Sequence, residues 1–137
     1  MNDPSTRTLV DTSSWIEALR TDGNVKVAGR VKRLLVEGFA CWNEMILLEL
    51  WNGARGEYER RSLREMERDI EVLPITSSVW QRAFGIARLA RNKGLTIPNT
   101  DLLIFAAARH YKVPLEHCDN HFSSLEKLPA VEGKIKG

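Results

Sequence analysis

Four short apolar runs punctuate the chain: RTLVD (residues 7–11), FACW (39–42), EVLPI (71–75) and VPLEHC (113–118), with helix-like segments between them. Strands joined by tight turns pair antiparallel, whereas strands separated by a helix pair in parallel through a crossover. The alternation therefore predicts an α/β fold with a mostly parallel sheet and helices on both faces. The intervening segments carry their own signals. NVKVAGRVKRLLVEG (24–38) spaces Val27, Val31, Leu34 and Leu35 for one helical face and stops at Gly38. NEMILLELWNGA (43–54) has Asn43 as a cap. EYERRSLREMERDI (57–70) is a charged helix, with Glu57–Arg61 and Arg61–Glu65 at i,i+4 spacing. SSVWQRAFGIARLARNKG (77–94) places Val79, Ala83, Ile86, Ala87 and Ala90 on one face. NTDLLIFAAARHY (99–111) is apolar on most sides and reads as deeply packed. SSWIEALR and HFSSLEKL read as short helices, and AVEGKI (130–135) as a last edge strand. No linker interrupts the pattern, so residues 1–137 are expected to form one domain.

Bulk properties narrow the classes. The net charge of +2 is too small to announce a nucleic-acid binder by itself. The longest apolar runs, LLIFAAA and MILLELW, are far too short to span a bilayer, and residues 1–8 are polar. Cys41 and Cys118 form no CxxC pair. A cytoplasmic protein with reduced thiols and no membrane partner is expected.

Four carboxylates fall where acids are costly unless paired, hydrogen-bonded or bound to a cation. Asp11 ends the first strand, Asp119 follows the fourth directly, Asp101 lies in the first turn of the apolar helix, and Glu49 interrupts MILLELW. Each has a structural reading too. Asp11 and Asp119 are good helix caps, Asp101 suits the positive end of a helix dipole, and Glu49 could lie on an exposed helix edge. Glu44 competes with Glu49, but the two are about 140° apart around a helix and cannot easily serve one site. Glu49, flanked by Leu47, Leu48, Leu50 and Trp51, is harder to explain as a surface acid. Parallel strands bring their carboxyl ends to one edge, so these acids together describe an oxygen-rich cluster suited to Mg²⁺ or Mn²⁺. Water held by such a cation can attack a phosphodiester.

The segments LVDTSSWI, NEMILLELWNG, IPNTDLLIFAAARHY and LEHCDNHFSSL, in this order and spacing, resemble PIN-domain ribonucleases of the VapC toxin type over roughly residues 7–130. The resemblance implies a three-layer α/β/α sandwich and a Mg²⁺- or Mn²⁺-dependent endoribonuclease. Asp11, Glu49 and Asp101 would form its metal-binding core. Asp119 would fill the fourth acidic position, binding metal or orienting water. Thr12 or Ser13 would match the hydroxyl residue after the first acid, and Asn43 stands where the family commonly has Ser or Thr. It further implies a homodimer and a VapB-type antitoxin that inserts a segment along the active-site groove.

Other readings compete. An Asp-nucleophile phosphotransferase commonly carries a second Asp two residues on, where this chain has Ser13. Neither GxxxxGK[ST] nor GxGxxG occurs. A non-catalytic PIN-like binding module and a metal-dependent DNA nuclease stay open as alternatives. HCDNH has Cys118 and His121 at zinc-like spacing but too few partners for a four-ligand site. The bland reading makes Cys118 a buried strand residue and His121 a flanking group. Arg88, Arg91 and Lys93 form a one-signed stretch that could contact RNA phosphate, against a solvated helix end as the plainer reading. Trp15, Trp42, Trp51 and Trp80 are expected in core packing or a dimer interface.

Overall fold

The computed structural model describes residues 6–128, which fall into two compact units. AVEGKI lies outside the described residues. The first unit runs to Pro74 and includes Pro114–Cys118; the second holds Ile75–Val113 and the described residues from Asp119 onward.

The first unit contains the sheet. Its strands are β1 (Thr8–Val10), β2 (Ala40–Trp42), β3 (Glu71–Val72) and β4 (Leu115–Glu116), and its helices are α1 (Thr12–Leu19), α2 (Val25–Glu37), α3 (Glu44–Gly53) and α4 (Glu57–Asp69). All strand pairs are parallel, in the order β3-β2-β1-β4. Leu9 stands opposite Cys41 on one side and Leu115 on the other. The chain thus builds outward from β1 through β2 to β3, then returns to add β4 on the opposite side of β1. The carboxyl edge at β1 and β4 is the switch point where α/β folds place their sites.

The outer strands are shorter than their sequence runs. Pro114 has no N–H for the ladder but lends its carbonyl to the Leu9 N–H at 2.9 Å, and pairing stops after Glu116. On the other edge Leu73 still donates its N–H to the Trp42 carbonyl before Pro74 ends the run. The helices begin and end where the signals lie. Asn24 and Asn43 cap α2 and α3 through their side chains, and Gly38 closes α2 in the left-handed region at φ 78°. Trp15 and Trp42 are fully buried with ring centroids 5.4 Å apart. Such a pair adds about 1 kcal/mol to what burial alone contributes.

The charged helix α4 departs from expectation in its pairing. Glu57 binds Arg64 at 2.6 Å and Arg60 at 3.5 Å rather than Arg61. Residues three and seven apart also share a helix face, and these two arginines hold the exposed Glu57 carboxyl below its usual value.

The second unit is helical: α5 (Ser77–Asn92), α6 (Asn99–Tyr111) and α7 (Asn120–Glu126). Val79, Ala83, Ile86 and Ala90 of α5 are buried, as are Leu103 to Ala108 of α6 and Phe122 and Leu125 of α7. Helix α6 packs against both α5 and α7.

Candidate functional site

Asp11 follows β1 and caps α1. Its backbone is extended (φ −68°, ψ 156°), and its Oδ2 accepts from the Ser13 N–H at 2.9 Å and the Ser13 hydroxyl at 2.6 Å. The Ser13 Oγ in turn accepts from the Cys118 N–H at 3.2 Å, and the Asp11 N–H donates to the Glu116 carbonyl at 2.9 Å. Asp11 is 3% exposed and sits at the β1–β4 switch point, so the capping reading holds alongside the positional one.

Glu49 is half-buried on α3 and accepts from the Thr12 hydroxyl at 2.5 Å, whereas Glu44 is exposed. The residue after Asp11 therefore carries Glu49 to the same strand end. Both hydroxyl residues after the first acid are used: Ser13 on Asp11 and Thr12 on Glu49. Asn43 is fully buried; its Oδ1 accepts from the Ile46 N–H at 3.0 Å, and its Nδ2 has no hydrogen-bond partner among the described residues.

A further acid at this edge was not singled out by the sequence. Glu116 on β4 is 7% exposed and is gripped by Arg30 of α2 through both oxygens, at 2.9 and 3.1 Å, while the Ser14 hydroxyl donates at 3.0 Å. The Glu116 carboxylate holds the Arg30 guanidinium above its already high value. This acid is neutralised by protein groups and ties α1, α2 and β4 together. An acid and an arginine 86 residues apart leave no local pattern by which to find them.

In the second unit Asp101, Asp119 and His121 meet. Asp101 lies in the first turn of α6, after Pro98, which offers no side-chain cap. Asp119 caps α7, its Oδ1 accepting from the His121 N–H at 2.8 Å. It does not follow a strand directly as expected, because β4 ends at Glu116. His121 Nδ1 is 2.9 Å from Asp101 Oδ2 and 3.1 Å from Asp119 Oδ1. One ligand atom from each of the three residues lies within 4.8 Å of the others. Two carboxylate oxygens and an imidazole nitrogen suit Mn²⁺ or a partly hydrated Mg²⁺. His121 thus lies within hydrogen-bond distance of both acids. The Asp-x-His spacing at a helix start was the available signal. Cys118 is exposed rather than buried in a strand, and it does not join this group. Cys41 is buried, and that burial pushes its thiol up to about 11.

Arg88, Arg91 and Lys93 are exposed at the end of α5, and none has a carboxylate partner among the described residues. Trp15 and Trp42 lie in the core as expected. The Trp51 Nε1–H donates to Glu67 at 2.8 Å, and Trp80 is 44% exposed beside Phe84.

A strand-end acid at the switch point of a parallel sheet, with helices between the strands, defines an α/β protein. The family model described as PIN domain matches residues 8–128, and the chain belongs to that family. Ribonuclease VapC11 of Mycobacterium tuberculosis is 31% identical over 128 residues, covering 90% of this chain and 95% of its own. Ribonuclease VapC21 of the same organism is 29% identical over 130 residues, covering 93% and 89%. The solved structure of VapBC2 from Rickettsia felis bound to a DNA fragment from their promoter matches 90% of this chain and 94% of its own, with a TM-score of 0.71 at 17% identity. The α/β fold class expected from the alternation is therefore the observed one.

Proposed function

We propose that the chain is a single-domain, Mg²⁺- or Mn²⁺-dependent endoribonuclease that acts as the toxin of a toxin–antitoxin pair. The observation that carries this reading is the close approach of Asp101, Asp119 and His121. The relatives named as VapC ribonucleases support the substrate class.

In this reading Asp11, Glu49, Asp101 and Asp119 hold the cation. When bound, it supplies charge stabilisation at the phosphodiester and makes water a stronger nucleophile. The protein's part is to aim the carboxylates. Ser13 hydrogen-bonds one oxygen of Asp11, and Thr12 hydrogen-bonds one oxygen of Glu49. With its proton on Nδ1, His121 can satisfy Asp101 and Asp119 in the metal-free protein. Water attacks the phosphorus and the sugar oxygen leaves, so no side-chain nucleophile is needed.

The partner is a VapB-type antitoxin, supported by the VapBC complex among the structural matches. A groove of about 660 Å³ in the first unit has Glu49 in its wall beside Ile16, Leu19, Leu50 and Tyr58. Ile16, Leu19 and Tyr58 are exposed, which suits an apolar antitoxin segment laid past Glu49. The toxin is expected to be a cytoplasmic homodimer. Among the described residues no helix is long and apolar enough to cross a membrane.

The test is cleavage of total RNA by the purified chain with Mn²⁺ and then with EDTA, beside Asp11→Asn and Glu49→Gln. Metal-dependent fragments that vanish in both variants support the reading. RNA left intact by folded, antitoxin-free protein with either metal would sink it.

A further inference from the structure

A second cleft opens in the helical unit, between the last turn of α5 and the first turn of α6. It measures about 430 Å³, within the range of small-ligand sites, which runs from about 300 to 1,000 Å³. Its apolar wall includes Leu95, Ile97 and Leu102; Arg88 and Arg91 supply charge, and Asn99 an amide. No acid lines it, in contrast to the groove that contains Glu49 and Glu59. Asn99 and Leu102 flank Asp101 within one helical turn, about 5.4 Å along the axis.

We propose that this cleft is a nucleotide subsite for single-stranded RNA, occupied by the residue next to the one whose phosphodiester is cut. The proposal rests on the nuclease reading for the identity of its polymer. Arg88 and Arg91 hold a phosphate. Both are exposed and neither is ion-paired with any described residue, whereas Arg30, Arg60 and Arg64 are committed to carboxylates. The first turn of α6 adds the positive end of its dipole. A base lies against Leu95, Ile97 and Leu102, and the Asn99 amide presents a donor and an acceptor together, the combination found on base edges. An acidic peptide would use the arginines but would leave the apolar wall and the amide unused. The subsite would select unpaired RNA, because a base locked in a duplex cannot enter a cleft.

The test uses the full chain in EDTA and a fluorescein-labelled single-stranded RNA of about eight nucleotides, read by anisotropy at several salt concentrations. Arg88→Ala/Arg91→Ala should raise Kd at least about tenfold, the scale of losing one charge-assisted hydrogen bond. The slope of log K against log salt should fall by about 0.7, for one lost phosphate contact. Ile97→Ala should raise Kd with the slope unchanged. The charge-matched control Arg61→Ala/Arg68→Ala, on α4, should do neither. An unchanged Kd in Arg88→Ala/Arg91→Ala overturns the proposal, as does an equal loss in the control. Loss of affinity for poly-glutamate but not for RNA also overturns it, in favour of an acidic peptide. Mn²⁺-dependent cleavage is measured in parallel. If the wild-type chain cuts nothing yet its RNA affinity still depends on Arg88 and Arg91, RNA binding at the cleft stands, while the nuclease reading and the cleft's place beside a cut phosphodiester fall. If it cuts with unaltered KM in Arg88→Ala/Arg91→Ala, the nuclease stands and the subsite falls.

Discussion

The Thr12 hydroxyl donates to Glu49 Oε1 at 2.5 Å, joining the first turn of α1 to the middle of α3 across 37 residues of sequence. The bond explains how an acid in an apolar helix is held half-buried beside the strand end that carries Asp11. It also separates Glu49 from Glu44, which is exposed at the start of the same helix.

Glu49→Gln should therefore lower RNA cleavage at least about a hundredfold while Glu44→Gln stays within about twofold, the scale expected when a charge aimed at the reacting group is removed. Thr12→Val should cost about fivefold, since one hydrogen bond is worth about 1 kcal/mol and a tenfold rate is about 1.4. Initial rates with saturating Mn²⁺ decide it. Equal losses in Glu44→Gln and Glu49→Gln would reverse the assignment.

Asp119 has two tasks that one substitution can separate. Asn caps a helix about as well as Asp, so Asp119→Asn should leave the thermal midpoint nearly unchanged. It removes a charged oxygen from the cluster with Asp101 and His121 and should weaken Mn²⁺ binding by about tenfold or more. Calorimetric titration with Mn²⁺, beside a thermal melt, reads both. A large drop in midpoint with Mn²⁺ affinity retained would show a purely structural role.

Arg30 and Glu116 make the opposite case, an acid whose partner is protein. Arg30→Met should destabilise the fold by about 2 kcal/mol, because it strands a nearly buried carboxylate. The value is kept below that of a fully buried pair because half of the Arg30 side chain is exposed. Arg30→Lys should recover only part of the loss, since an ammonium cannot grip both oxygens. Urea unfolding midpoints measure the series, and an unchanged midpoint in Arg30→Met would refute the clamp.

The two cysteines should differ sharply. Native protein at pH 8 should react with one equivalent of a thiol reagent, at exposed Cys118, and with two after unfolding. The Cys41 thiol is raised to about 11 from an unfolded value near 9. The folded state then keeps a proton that the unfolded chain releases. Stability is fully present below pH 9 and declines as pH rises toward 11, by about 2–3 kcal/mol in total. Denaturant titrations at pH 8 and pH 10.5 should show this decline shrink in Cys41→Ala. A decline of the same size in that variant would assign it to other groups.

What the sequence by itself determined was local or periodic. The strand–helix alternation, the cap at Asn43 and the left-handed Gly38 each depend on residues within one or two turns of one another. Such features are set by backbone hydrogen bonding and by which face of an element is apolar. Even there the outer strands came out short, because prolines beside β3 and β4 limit the ladder. Tertiary structure decided the rest. That β4 inserts beside β1 brings the Cys118 N–H to Ser13 and buries Glu116 against Arg30 and Ser14. Packing of α6 against α7 places His121 between Asp101 and Asp119. Contacts between residues tens of positions apart follow from strand order and helix packing, and no short window of sequence contains both partners. Hence the acids could be nominated one at a time, while the groups that neutralise or aim each of them emerged only with the fold.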